Sequence, residues 1–356
     1  MGSGDMLLTL PLFRPKVHLS NGIVMETVGA ALIKLDGFDA QETPGIAIDY
    51  GRVLLLTVGK AGNRIRLHFG ERHGVLTFGD AESTAAVEVR RTPVAGADPE
   101  TTPGAMTAEL YATSGKLNWQ EDKEEKQLVA PARQSLTDAA ATEDTKIELP
   151  QWITSSTRNK LDENAATTLE EALKVDRPVS LTLKELTDYR QIEVRSLAIR
   201  SCTQLGIYEP ALDALGDEMQ RAERTGWPAY IEALRSAVAR GPRPAADVRV
   251  AIEKKYGAQD GRELNRMLWG YTSEDLRAGE AAKLVKQLNN DKLDFQVLSA
   301  WNLQKITGIS IRPEVAAAKR RTQVQRWSER LRDGKIVPAG EGPRRGAGST
   351  APRRAT

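Results

Sequence analysis

The sequence predicts two segregated structural classes in one chain: an N-terminal antiparallel β-sandwich or roll, then an all-helical bundle or short α-solenoid. Three observations carry this. Up to about Leu149 the apolar residues recur with period two in short runs cut by glycine turns. Beyond that point they recur at helical spacing, between proline and glycine stops. At 356 residues the chain is long enough for two units, each with its own core.

Alternation is clearest from Asn63 to Phe69, where Ile65, Leu67 and Phe69 share one face and Arg64, Arg66 and His68 the other. Strands are expected at Gly22–Val28, Ala31–Leu35, Gly45–Asp49, Arg52–Val58, Val75–Phe78, Ala85–Arg90, Ala105–Thr113 and Lys116–Gln120. Asn21-Gly22 offers the positive-φ pair of a tight hairpin, and glycines at Lys60–Asn63, Glu71–Gly74 and Thr113–Gly115 mark further turns. The stretch Thr92–Gly104 contains three prolines, which would remove ladder donors, and is expected as a surface loop.

Between Ala130 and Lys160 the composition shifts to Ala, Thr, Asp, Glu and Lys with little periodicity, the signature of a solvated linker that orders in part against its neighbours. Helical punctuation follows. Trp227-Pro228 opens a helix, Gly241-Pro242 stops it, Gly257 closes the next at Tyr256, and Thr272-Ser-Glu-Asp275 caps another. Five of the six tryptophans, Trp152, Trp227, Trp269, Trp301 and Trp327, fall here, where helical spacing makes them core residues. Segments Glu193–Gly206 and Phe295–Gly308 each follow an acidic turn, carry an apolar stripe and end at glycine, similar to the second helix of a HEAT-type pair; a plain bundle fits the same pattern. In the last predicted helix, Pro313–Arg332, Val324, Trp327 and Leu331 form a docking stripe.

In the β half, Leu19-Ser-Asn-Gly-Ile-Val-Met-Glu-Thr-Val-Gly-Ala-Ala-Leu-Ile-Lys-Leu35 resembles the first hairpin of FecR-like domains, the extracytoplasmic sensor modules of iron-dicitrate-type signalling. Gly45-Ile-Ala-Ile-Asp-Tyr-Gly-Arg-Val-Leu-Leu-Leu56 looks like the family's G-R-V strand, Ile65–Phe78 like the strands after it, and Leu110–Trp119 completes a likeness over roughly residues 15 to 135. The resemblance implies a bacterial envelope sensing or regulatory role, extracytoplasmic or membrane-associated, with a ligand or protein partner. The anti-sigma segment and transmembrane helix that usually precede the module in this family are not present in this chain, which puts direct sigma-factor control in doubt. No ligand residue of the family maps onto a matched position, so iron specificity does not follow. The expected division is a FecR-like β domain at residues 6–135, a linker at 136–160, a helical domain at 161–334 and a disordered basic tail at 335–356.

The net charge of +2 hides an asymmetry. Residues 313–356 carry eleven Lys or Arg against four acids, a net +7, leaving the body at about −5. This does not make the basic face with interleaved aromatics that nucleic-acid binding needs, so no specific nucleic-acid partner is expected. The longest early apolar run, Met6–Phe13, is broken by Pro11 and falls short of the roughly 20 residues that span a bilayer. The Met-Gly-Ser-Gly-Asp opening has neither the basic n-region nor the cleavage site of a signal peptide.

No catalytic set, cofactor or metal is expected. His18, His68 and His73 lack Cys or carboxylates at ligand spacing, Gly59-Lys60 and Gly115-Lys116 are not followed by Ser or Thr, and Cys202 reads as a buried structural thiol. The reading is a non-enzymatic binding protein whose helical module meets a protein partner, with Arg320, Arg321, Trp327 and Arg330 of the last helix as candidate contacts. The competing expectation is a carbohydrate-binding β-sandwich, for which Tyr50, Tyr111 and Trp119 are the large planar candidates.

Overall fold

The computed structural model describes residues 2–138, 140–145, 147–155, 159–216, 224–313 and 317–337. Most of the basic tail expected at 335–356 lies outside the described residues, as does the start of the last predicted helix. The change of class falls where the periodicity changes. All described strands lie between Met6 and Thr145, and all described helices begin at or after Gln151.

Among the described residues thirteen strands form the β region: β1 (Met6–Thr9), β2 (Lys16–His18), β3 (Ile23–Thr27), β4 (Ala31–Phe38), β5 (Pro44–Thr57), β6 (Arg64–Phe69), β7 (Arg72–Phe78), β8 (Thr84–Thr92), β9 (Ala105–Ser114), β10 (Lys116–Glu121), β11 (Glu124–Val129), β12 (Ala132–Thr137) and β13 (Ala141–Thr145). They make one mixed sheet rather than a sandwich of two separate antiparallel ones. Its order is β11-β10-β7-β6-β5-β8-β9-β12-β13, with β1 to β4 attached beside β5. The expected breaks at Asp49 and Arg52 do not occur, because β5 runs unbroken through a kink at Gly51, where φ is +115°. Its first half pairs with β4 and, in parallel, with β6; its second half pairs with β3 and β8. The parallel pairing departs from the all-antiparallel expectation. It arises because β5 and β6 are joined across the turn Val58–Asn63 on opposite sides of the kink, so that Gly45 meets Arg66 instead of a hairpin partner.

The kink folds the sheet back into a nearly closed, barrel-like roll around one core. Ile65, Leu67 and Phe69 are fully buried there, as their alternation predicts, with Ile23, Met25, Ile46, Leu55, Phe78 and Trp119. Strands β12 and β13 lie in the stretch that lacks clear periodicity. β12 is paired on both edges and buries Ala132, Gln134 and Leu136.

The helical region contains α1 (Gln151–Thr154), α2 (Lys160–Ala172), α3 (Val179–Leu186), α4 (Ile192–Gln204), α5 (Glu209–Gly216), α6 (Trp227–Ala239), α7 (Pro242–Tyr256), α8 (Ala258–Arg266), α9 (Ser273–Asp275), a π-turn at Leu276–Glu280, α10 (Ala281–Gln287), α11 (Leu293–Thr307) and α12 (Ala317–Arg332). The punctuation read from sequence holds. Pro228 lies in the first turn of α6, Pro242 opens α7, Gly257 closes it at φ +81°, and Thr272 makes a reciprocal capping box with Asp275. Trp227 and Trp327 are buried in the main helical core, with Trp269 and Trp301 packed against it beside Val324 and Leu331 of α12.

The expectation of two independent cores needs correction. A third cluster joins the regions: Leu10, Leu12 and Phe13, from the segment between β1 and β2, pack against Leu169, Leu183, Val194, Leu197 and Cys202 of α2 to α4. The helices therefore cover apolar surface that the sheet's own N-terminal segment leaves exposed.

Candidate functional site

The loop joining β8 to β9 is on the surface, as its prolines predict, and it clips the two regions together. Arg249 of α7 grips the Glu100 carboxylate with two nitrogens at 2.5 and 3.4 Å, and the Gly104 amide donates to the Ala239 carbonyl at 3.2 Å. The approach at Gly104 is so close that a Cβ there would sit 2.6 Å from the Ala239 oxygen. A second tie runs through Tyr50, whose hydroxyl donates to Gln204 Oε1 at 2.8 Å while the Arg240 guanidinium lies 4.1 Å over its ring. Arg240 also donates to the same Gln204 oxygen.

Between these ties the regions part around a cleft of about 670 Å³. Its floor is the kinked centre of β5 and the end of β8; its walls are the turn at Val28–Ala30, Trp152 of α1, and the facing sides of α4 and α6. Arginine dominates the lining, with Arg14, Arg52, Arg90, Arg91, Arg200 and Arg235 against Glu88 and Glu232. Arg14 is held by Glu26 at 2.6 Å, Arg91 by Asp49 at 3.1 Å, and Arg52 by Glu88 at 2.9 Å while stacking 5.3 Å from the Trp152 ring centre. Glu232 is engaged by Lys305 at 2.7 Å. Burial draws the guanidinium pKa of Arg200 and of Arg235 below the ordinary arginine range; each stays a cation at neutral pH.

The planar candidates for a sugar platform do not serve as one. Tyr50, Tyr111 and Trp119 are all buried: Trp119 stacks on Phe69 in the roll, and Tyr111 meets Trp152 edge-on at 6.2 Å. Their inward register, set by neighbouring strands and helices, withdraws the flat faces a sugar would need.

The four residues expected on the last helix fall into two groups. Trp327 and Arg330 border a groove of about 570 Å³ with Lys319, Arg326 and Arg312. Trp327 is buried in the core, and the Arg330 guanidinium lies 5.7 Å over its ring. Arg320 and Arg321 do not line that groove; Arg320 is half-buried and Arg321 exposed. Cys202 is fully buried in the shared cluster, and burial pushes its thiol up to about 11, so it is protonated at neutral pH as a core residue. Among the described residues no three metal-ligating side chains converge, and no helix is long and apolar enough to cross a membrane.

The cleft arginines escape a reading by motif because they come from the segment before β2 and from β5, β8, α4 and α6, up to 221 positions apart. Arg200 did leave a trace: a lone arginine inside Leu-Ala-Ile-Arg-Ser-Cys, at a helical position whose neighbours are buried.

No protein-family model matches this chain, and no curated protein matches it. The chain aligns with two crystal structures from Parabacteroides distasonis ATCC 8503, each provisionally named an anti-sigma factor. Both align at 9% sequence identity with a TM-score of 0.30. One alignment covers 42% of this chain and 63% of the other, so the chain spans less than two thirds of that relative's length; the second covers 51% and 90%.

Proposed function

We propose that this chain is a non-enzymatic regulatory protein of the bacterial envelope that acts by binding, with contact at one region read out through the other. The observation that carries the reading is the cleft itself. It is walled by both regions and bounded by ties from both, so whatever occupies it bears on how they are held together. The FecR-like residues support the reading, since Leu19–Leu35 supplies β3 and β4, and Gly45–Leu56 forms the kinked strand at the cleft floor.

In this reading the sheet, which β12 and β13 carry past the expected bound of 135 to Thr145, is the sensing unit, residues 161–334 are the partner-facing unit, and the remaining stretch up to residue 160 joins them. Neighbouring helices pack in sequence, α3 on α4, α6 on α7 and α10 on α11, as a short HEAT-like stack would. On α12, Arg320, Arg321 and Arg330 offer charge to a protein partner while Trp327 anchors the helix to the core beneath.

The test is transcript profiling in the native host after deletion of the gene and complementation with wild type or Gly104→Ala. The variant places a methyl group against Ala239 and loosens the tie. Deletion is expected to alter a defined set of transcripts, wild type to restore them, and Gly104→Ala to behave like the deletion at equal protein level. Unchanged transcripts in the deletion strain would rule out a regulatory role.

A further inference from the structure

Arg200 and Arg235 stand apart from the other cleft arginines. Among the described residues neither forms an ion pair with a carboxylate, although Arg14, Arg52 and Arg91 beside them each do. Arg200 donates its Nε to the Ser196 carbonyl of its own helix at 3.3 Å. Arg235 donates to the Leu268 carbonyl and stacks 4.8 Å from the Trp301 ring centre. A guanidinium carries five N–H donors and each of these hydrogen bonds uses one, while both side chains line the cavity. Withdrawing an unpaired cation from water is costly, and an oxyanion seated between the two would offset that cost through charge-assisted hydrogen bonds.

The sheet side adds to this charge. Arg90 has a 57% exposed side chain and shares Glu88 with Arg52, at 4.0 Å against 2.9 Å, so one carboxylate answers two guanidiniums. With Glu232 taken by Lys305, the walls hold more cations than their own carboxylates neutralise.

We propose that the cleft binds a small polyanion carrying phosphate or carboxylate groups, held by Arg200 and Arg235 from the helices and by Arg52 and Arg90 from the sheet. The volume of about 670 Å³ falls in the range of roughly 300–1,000 Å³ typical of small-molecule sites. The lining groups come from the sheet, from Trp152 and from α4 and α6, so a compact ligand can reach cations of both regions at once. Because the holding groups come from both regions, the anion would brace one against the other. This rests on the binding role proposed above and names the ligand class for it.

The experiment is calorimetric titration of the full chain with pyrophosphate and, separately, malonate at low ionic strength. It is repeated with Arg200→Gln/Arg235→Gln, with Arg52→Gln/Arg90→Gln, and with Arg320→Gln/Arg321→Gln as a control that removes equal charge elsewhere. Saturable binding of at least one probe is expected, weakened at least tenfold in both cleft variants and less than twofold in the control. The second cleft pair has the more exposed side chains, and it is also measured with Glu88→Gln added to remove the carboxylate it uncovers, which keeps the test decisive should the half-buried pair fail to fold. Equal affinity in all variants, or no binding of either probe by wild type, would overturn the proposal. So would sedimentation with phosphatidylglycerol vesicles, or binding of a poly-glutamate peptide, without binding of the soluble probes. The transcript measurement adds no anion, so the regulatory reading and the ligand class can fail separately.

Discussion

Gly51 determines the shape of the sheet from a single position. At φ +115° it occupies backbone space that a side chain disfavours, and a Cβ placed there would lie 2.3 Å from the Ala31 Cβ and 2.5 Å from its Cα. The lack of a side chain lets β4 cross β5 at the kink while β5 passes from one half of the roll to the other. Replacement by alanine combines backbone strain with overpacking against a fully buried neighbour. Gly51→Ala is therefore expected to lower stability by about 2–4 kcal/mol, read as a shift in the urea midpoint with little change in slope. A loss below about 0.5 kcal/mol would mean that β5 bends equally well with a side chain in place.

Along the elements, β5, β8 and β9 carry a row of charges across the outer face of the sheet. Arg52 is paired in register with Glu88, and Glu88 with Glu109, so two carboxylates oppose each other, both nearly buried at 6% exposure. Like charges in that arrangement destabilise a sheet. Here they are flanked by Arg52 at 2.9 Å from Glu88, by Arg133 at 3.6 Å from Glu109, and by the Ser135 hydroxyl, which donates to Glu109 at 3.0 Å. Arg52→Gln should cost about 1–3 kcal/mol, because it uncovers a buried carboxylate facing another. Glu88→Gln added to it should recover part of that, with a coupling energy of about 1 kcal/mol or more in a double-mutant cycle. Strict additivity would show that Arg90 takes over the charge of Glu88. The same elements mark what a sequence can show. β6 was legible because Ile65, Leu67 and Phe69 are apolar at each inward position, whereas β12 points Ala132, Gln134 and Leu136 inward and the glutamine hides the alternation. The kink was legible as a glycine but not as continuity, since a turn and a bend within a strand use the same residue. The cleft was not legible at all, because no local pattern brings Arg52 of a strand to Arg200 and Arg235 of helices.

At the scale of the molecule, the ties through Leu12 and Phe13, Tyr50, Glu100 and Gly104 join the sheet and helices, and the two are expected to unfold as one cooperative body. Circular dichroism, dominated by helix, and pulse-labelled hydrogen exchange at the roll amides of β6 and β7 should then report a single coincident transition in urea; separated midpoints would mean that the shared cluster does not couple the regions. High pH tests the same join through Tyr50. Burial, opposed by the cation Arg240, pushes the Tyr50 hydroxyl up to about 12 from an ordinary value of 10. Between those two values the folded state keeps a proton that the unfolded state has lost. The contribution of Tyr50 is thus complete below pH 10 and disappears as pH rises through 12. Tyr208, Tyr256 and Tyr271 are also raised by burial and add loss of the same sign, so the wild-type profile alone does not isolate the join. Comparison with Tyr50→Phe does: at neutral pH the variant should lose about 1 kcal/mol with the hydrogen bond to Gln204, and its stability should decline less steeply between pH 10 and 12 than that of wild type. Parallel profiles would place the tyrosine outside the linkage and leave the loop clip and the shared apolar cluster as the whole of the join.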